Sequence, residues 1–216
     1  MSKPLSASML KLLDRRLTSY EAQFEGSPGQ KYINGRGLSN ETARYFRLGW
    51  TGVPEPEDSH LSNRVTIPYN KPACVTSIRY RAIEPEQKPK IQGLTGIAAK
   101  QLFNTSALYG SDEVFICEGE IDAMTMTQAG YAAVGVAGVS NWDPAWARIF
   151  RMRKVIVVAD NDDAGQGEGL AREIQSVIND CSMLALPDGH DLNSFYCESG
   201  EEALHDLVSR HLARIS

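Results

Sequence analysis

The chain has 216 residues, 42% of them hydrophobic, and a net charge of −5. No apolar run approaches the roughly 18 residues of a membrane span, and the Met-Ser-Lys-Pro start lacks the apolar core of a signal peptide. Four dispersed cysteines with no CxxC pair argue against a disulfide framework and against zinc in this chain, and point to the reducing cytoplasm.

The charge is unevenly spread. Residues 1–110 hold 15 Lys/Arg against 9 Asp/Glu, a surplus of +6, while residues 111–216 hold 7 against 18, a balance of −11. A basic half joined to an acidic half suits a polyanion on one side and metal cations on the other; two subdomains with solvated surfaces would give the same totals.

Residues 3–24 carry Leu5, Met9, Leu12, Leu13, Leu17, Tyr20 and Phe24 at helical spacing, and Gly26-Ser27-Pro28-Gly29 breaks the pattern. A second helix is expected from Ser39, a good N-cap, to Gly49. Residues 51–62 read as a loop. Segments 64–69 and 74–83 read as two strands joined by a turn, with Arg79 and Arg81 on one face and Ile78, Tyr80 and Ala82 on the other. A polar loop covers Glu84 to Lys90, and the stretch to Gly110 has no clear pattern.

From Asp112 the rhythm becomes strand, helix, strand, helix. The runs Val114–Cys117 and Val155–Ala159 are continuous and apolar, as in strands buried on both faces, and each ends in acid: Glu118-Gly119-Glu120-Ile121-Asp122 and Asp160-Asn161-Asp162-Asp163-Ala164-Gly165. Helices are expected at 121–129, 143–151, 167–179 and 201–213, and further strands at 132–136 and 182–186. Such alternation implies right-handed crossovers and a parallel α/β sheet flanked by helices. Ligands of open α/β sheets bind at the carboxyl ends of the strands, which puts Glu118, Asp160 and Asp162 at one candidate active edge.

Several unpaired carboxylates on a poorly solvated edge repel one another by roughly several kcal/mol. A divalent cation removes the conflict, and Mg²⁺ needs only one or two carboxylates because it keeps waters and shares substrate phosphates. Acids also cap helix N-termini, and Glu120 and Asp163 are read that way. His190 reads as a surface loop residue, Cys117 as a small core residue, and Trp142 and Trp146 as packing against the sheet rather than stacking on a base.

Glu118-Gly119-x-x-Asp122 followed by Asp160-x-Asp162-x-Ala164-Gly165 resembles the TOPRIM fold. Tyr32 to Thr42 with Phe46-Arg47-Leu48-Gly49, Asn63 to Pro68, Leu102 to Gly110, and Leu186 to Asp191 resemble, in the right order, successive segments of DnaG-type primase catalytic cores, with the first acidic motif closest to phage primases. The resemblance covers roughly residues 30–195. It implies an N-terminal α+β subdomain (1–110) on the template and nucleotide side, a TOPRIM metal-binding domain (111–195) and a C-terminal helical segment (196–216). By position it makes Glu118, Asp160 and Asp162 catalytic, and Glu118, Asp122, Asp160, Asp162 and Asp191 the ligands of Mg²⁺ or Mn²⁺. Arg64, Arg81 and Lys90 become nucleotide- or template-binding residues, with Arg79 beside them. A solvated hairpin face remains their bland alternative.

Three positions depart from the family pattern. Asn193 stands where a second acid is usual, Thr105 and Ser106 occupy the place of an expected Lys, and Gly93 that of an expected Asn. The zinc-ribbon and helicase modules of the family are not found in the chain, so a separate zinc-ribbon module and a replicative helicase are expected partners. The expected activity is synthesis of RNA primers from NTPs on single-stranded DNA, for a phage in its host's cytoplasm. A metal-dependent TOPRIM nuclease and a non-catalytic nucleic-acid-binding accessory protein are the alternatives.

Overall fold

The N-terminal helical period becomes α1 (Ala7–Glu21) in a computed structural model that describes residues 4–98, 100–138, 141–161 and 166–215. The Ser6 hydroxyl accepts the Met9 N–H at 3.2 Å and so satisfies one orphan donor of the first turn. Leu13, Leu17 and Tyr20 are fully buried and pack on Leu61, Val75, Ile78 and Tyr80. Beside them lies an Arg16–Asp58 ion pair at 2.5 Å with both side chains buried. Removing one partner of such a pair costs about 3–5 kcal/mol, since it strands the other charge.

Residues 26–29, expected only to break a helix, instead start one, α2 (Pro28–Gly35). Ser27 Oγ accepts the Gln30 N–H at 3.1 Å, and Pro28 sits in the first turn, where its missing N–H costs nothing. The next helix, α3 (Asn40–Tyr45), is capped by Ser39 as expected but stops short of Gly49. Arg47 turns left-handed (φ 58°), and Gly49–Trp50 becomes strand β1. Strands β2 (Arg64–Lys71) and β3 (Cys74–Ala82) form the expected hairpin, and β4 (Ile91–Gly93) completes an antiparallel sheet of order β1-β2-β3-β4. Ile78, Tyr80 and Ala82 are buried while Arg79 and Arg81 are only partly so, as strand alternation requires. These elements belong to one compact unit, Met1–Ala99.

The second unit, Lys100–Ser216, is built on a five-stranded sheet. Its strands are β5 (Leu102–Phe103), β6 (Glu113–Cys117), β7 (Ala133–Val136), β8 (Lys154–Ala159) and β9 (Cys181–Ala185), in spatial order β5-β7-β6-β8-β9. All neighbours are parallel except β5, which is antiparallel to β7. Val114 to Cys117 and Val155 to Ala159 are buried throughout, as expected of central strands. Helices α4 (Glu120–Gln128), α5 (Gln166–Gln175) and α6 (Leu192–Ile215) follow β6, β8 and β9. After β6 the chain moves outward to β7, then returns to the other side of β6 as β8. The topological switch point therefore lies between β6 and β8.

Two local expectations differ. Residues 144–150 wind as a 3₁₀ segment rather than an α-helix. The last helix runs on from Glu201 as expected, but an unexpected helical stretch from Leu192 precedes it, and the two meet at a kink where Gly200 (φ 84°) leaves the helical region. Leu204 and Val208 of α6 are buried within this unit, where α6 packs on α4 and β9. No helix among the described residues is long and apolar enough to cross a membrane.

Candidate metal centre at the carboxyl edge of the parallel sheet

Glu118 and Asp160 are the first residues beyond β6 and β8, the strands that flank the switch point. Their chain exits are stitched together: the Asp160 N–H donates to Glu118 Oε1 at 3.0 Å. The Glu118 carbonyl accepts the Gly138 N–H beyond β7 at 3.2 Å, which fixes the turn from the other side. Asp122 lies in the first turn of α4, whose N-cap Gly119 has no side chain to intrude. A third exit, after β9, brings Asp191 to the start of α6, where its Oδ1 accepts the Ser194 N–H at 2.6 Å. The Asn193 N–H of that turn donates to Asp122 Oδ1 at 3.2 Å.

The electrostatics register this convergence. Burial, followed by the charges of Asp122, Glu118 and Asp191, pushes the Asp160 carboxyl up to about 8, against the pull of a Leu192 N–H that favours its anion. Cys117, fully buried behind Glu118, has its thiol raised well above the ordinary value, first by burial and then by Asp122, Asp160 and Glu118. It is an inert core residue, as expected. Four acids from three loops therefore share one field. Asp162, expected to be the fifth, lies outside the described residues.

The donor set is all carboxylate, which suits a hard cation such as Mg²⁺ or Mn²⁺ and not the N/S preference of zinc. Among the described residues no three His, Cys, Asp or Glu side chains already form a ligand cage. Mg²⁺ does not need such a cage, since it takes one or two carboxylates and completes its shell with water and phosphate.

Two residues that the sequence reading did not place in the site shape it. Gly167, in the first turn of α5, lies so close that a Cβ there would strike Glu118 Oε1 and fall 2.6 Å from the Asp160 N and O. Asn193, the departure from the family acid, is buried, and its Nδ2 donates to Thr125 Oγ1 at 3.0 Å. An acid here would be a buried charge facing a hydroxyl beside Asp122; the amide holds the α6 turn without that cost. The signal for Gly167 was its distance of a few residues from Asp160, but no local pattern separates it from an ordinary helix glycine.

The other singled-out residues are settled locally. His190 is held by Asp188 O at 2.9 Å and Glu198 at 3.0 Å, and the Glu198 hydrogen bond raises its pKa. Trp142 is buried, edge-on to Trp146 at 5.6 Å, which matches the expected packing role.

In the first unit the expected basic residues divide. Arg81 Nε donates to Tyr32 Oη at 2.9 Å, and the Arg36 and Arg81 guanidiniums lie 5.6 and 5.9 Å from the Tyr32 ring centre. Burial works upward on the Tyr32 phenol, but Arg81 and Arg36 outweigh it and hold its pKa below the ordinary value. Beside them Lys31, Tyr32 and Arg36 line a cleft of about 750 Å³ with Ile83 and Glu84. Arg79 stacks over Tyr69 at 5.6 Å, and Lys90 is exposed.

Arg64 corrects the expectation of a direct contact. It is 1% exposed, and its guanidinium donates to Pro89 O at 2.7 Å, Lys88 O at 3.3 Å and Tyr80 O at 3.5 Å. Backbone carbonyls rather than solvent face its terminal nitrogens, so Arg64 fastens the loop that carries Lys90. Arg64→Met is expected to destabilise the first unit by about 1.5–3 kcal/mol, the worth of charge-assisted hydrogen bonds. Limited trypsin digestion checks this: cleavage after Lys90 should accelerate strongly in the variant, and an unchanged rate would remove the anchoring role.

Comparison with known proteins places these features. Residues 115–196 match the Toprim-like family model. The Gene 57 protein of Mycobacterium phage D29 is 35% identical over 136 residues, covering 62% of this chain and 87% of that protein. The DNA primase of Pseudomonas putida strain KT2440 is 23% identical across 97% of this chain, which spans only 39% of that primase. Among solved structures, the RNA polymerase domain of Mycobacterium tuberculosis primase DnaG, in complex with a double-stranded DNA oligomer with a 6-nucleotide overhang, superposes with a TM-score of 0.77 at 20% identity. The match covers 95% of this chain and 81% of that one.

Proposed function

The chain belongs to the family of the phage D29 Gene 57 protein and has the fold of a DnaG-type primase catalytic core with a Toprim-like domain, and from that premise we propose that it is the core that synthesises RNA primers on a DNA template. The observation that carries the reading is the meeting of Glu118, Asp122, Asp160 and Asp191 at the switch point, with Asp160 raised to about 8 by burial and then by its acidic neighbours.

Glu118 and Asp160, with Asp162 expected beside them and Asp122 and Asp191 near, would hold Mg²⁺ or Mn²⁺. The bound ion would supply positive charge toward NTP phosphates and the departing pyrophosphate. The chain's own contribution is positional. The Asp160 N–H fixes the Glu118 carboxylate, the Asn193 N–H fixes Asp122, and the Ser194 N–H fixes Asp191, so the acids are set before substrate arrives. Arg36 and Arg81 around Tyr32, with Arg79 and Lys90, provide the polyanion-binding side. Single-stranded DNA template and NTPs are the substrates of this reading; a separate zinc-ribbon module and a helicase would supply site choice and progress along the template.

The test offers single-stranded template, NTPs and Mg²⁺ or Mn²⁺ to the wild type and to Asp160→Ala, with and without a zinc-ribbon partner. Short RNA made by the wild type and lost in the variant supports the reading. Cut template points to a nuclease instead. DNA binding without either product points to the accessory role, which Thr105 and Ser106 in the place of an expected Lys favour.

A further inference from the structure

Seven Lys/Arg serve residues 111–216, and four of them, Arg148, Arg151, Arg153 and Lys154, fall within one stretch of seven residues. The strongly acidic half thus gathers its positive charge in one place. That place is the entry of β8, the end of the strand opposite Asp160. Six residues at about 3.3 Å each put it about 20 Å from the carboxylates.

The stretch borders a groove of about 840 Å³ between the 144–153 segment and residues 177–180. Arg153 is committed to the fold, donating to the Ile149 and Leu108 carbonyls at 2.8 Å each. Arg148 and Arg151 are exposed and make no hydrogen bond or ion pair among the described residues. Between Arg151 and Arg153 stands Met152, 97% exposed, in a left-handed conformation (φ 64°). A left-handed non-glycine residue is strained, and a turn with no other duty is served better by Gly or Asn. Across the groove Val177 is 40% exposed, and Asp180 is the one acidic side chain on its wall.

We propose that this groove is a docking site for an acidic segment of a partner protein that carries at least one apolar side chain. Charge complementarity supplies the acidic character: two uncommitted guanidiniums sit in a half whose remaining surface would repel such a segment. Met152 and Val177 supply the apolar requirement, because a thioether offers an adaptable contact. Nucleic acid fits less well. Of the aromatic side chains near the groove, Trp142 and Phe150 are buried and Trp146 is partly buried and edge-on to Trp142 at 5.6 Å, so none is a fully exposed platform for a base.

The test measures fluorescence anisotropy of a short labelled peptide of Asp and Glu interrupted by Leu and Phe, titrated with the full chain. Arg148→Glu with Arg151→Glu should weaken binding at least about tenfold, and Met152→Asn, which suits the left-handed backbone, about threefold. The same peptide with Ser for Leu and Phe should bind more weakly than the original, and an oligo-dT strand should bind all variants alike. Arg148→Gln with Arg151→Gln repeats the test should charge reversal disturb folding, as thermal melts would reveal. No binding of the apolar peptide by the wild type overturns the proposal, as does equal binding by the double variants. Loss of oligo-dT binding in place of peptide binding makes the groove a nucleic-acid surface and overturns it too.

Discussion

Asp160→Asn should make the protein more stable in the absence of divalent cations while depriving it of activity. The wild-type carboxyl titrates near 8 in the folded chain against 3.8 as the ordinary value. Between those limits the folded state binds the extra proton, so folding stability falls as pH rises from about 4 to 8, and the loss is complete above 8. Below about pH 4 both states are protonated and the penalty vanishes. A neutral amide escapes it, and after discounting for the part of Asp160 that solvent reaches, the gain near pH 8 is on the order of 2 kcal/mol.

Thermal melts of the two proteins check this directly. The variant should melt several degrees higher near pH 8 without metal, with the gap closing toward pH 4. Added Mg²⁺ should raise the wild-type melting temperature most at the alkaline end and leave the variant nearly unmoved. Primer synthesis in the variant should fall by about 10²–10³-fold, the usual loss for one preorganised electrostatic group. A variant less stable than wild type near pH 8 would show that the acids are not in mutual repulsion.

Gly167→Ala tests the same site through its packing. In an exposed helix, glycine to alanine is a gain of about 1 kcal/mol. Here the added methyl would meet Glu118 Oε1 and approach the Asp160 backbone to 2.6 Å, a distance real Cβ atoms do not tolerate. Backbone cannot yield as a flexible side-chain tip does, so the sign should invert to a loss of about 1–3 kcal/mol. Glu118 would be pushed from its hydrogen bond with the Asp160 N–H, and a displacement near 1 Å at a positioned group costs about 10²-fold in rate. The control is Gly169→Ala, two residues along the same helix, where nothing lies within 4 Å of the new methyl. If both variants behave alike, the close approach at Gly167 has no influence on the site.

Much of the parallel sheet is legible in sequence because β6 and β8 are buried on both faces and so read as unbroken Val/Ile runs that end in acid. The order of strands is less so: nothing in the run itself says that β8 returns beside β6 rather than beside β7. What local pattern missed has physical causes. Pro28 starts a helix as readily as it breaks one, and the short helical stretch from Leu192 lies ahead of the Gly200 kink, in a segment whose polar residues read as a loop. Arg64 is expected to face nucleotide or template only by its position in the family pattern, but three carbonyl oxygens allow its guanidinium to be buried. Gly167 and Asn193 act through contacts with residues distant along the chain, Asp122 and Glu118 among them, and no window of sequence holds both partners.

The hydrogen bond from the Asp160 N–H to Glu118 Oε1 joins a main-chain atom of one strand's exit to a side chain of its neighbour's. In the native alignment Ile116 faces Val157. A slip of β8 by one residue would turn Asp160 to the opposite face of the sheet and dissolve that bond along with the acidic cluster. If the acids hold a divalent ion as proposed, that ion would act as a proofreader of strand alignment, favouring the chains in which β6 and β8 are paired correctly. On that reading, Mg²⁺ added during refolding should raise the yield of native protein for the wild type and not for Asp160→Asn.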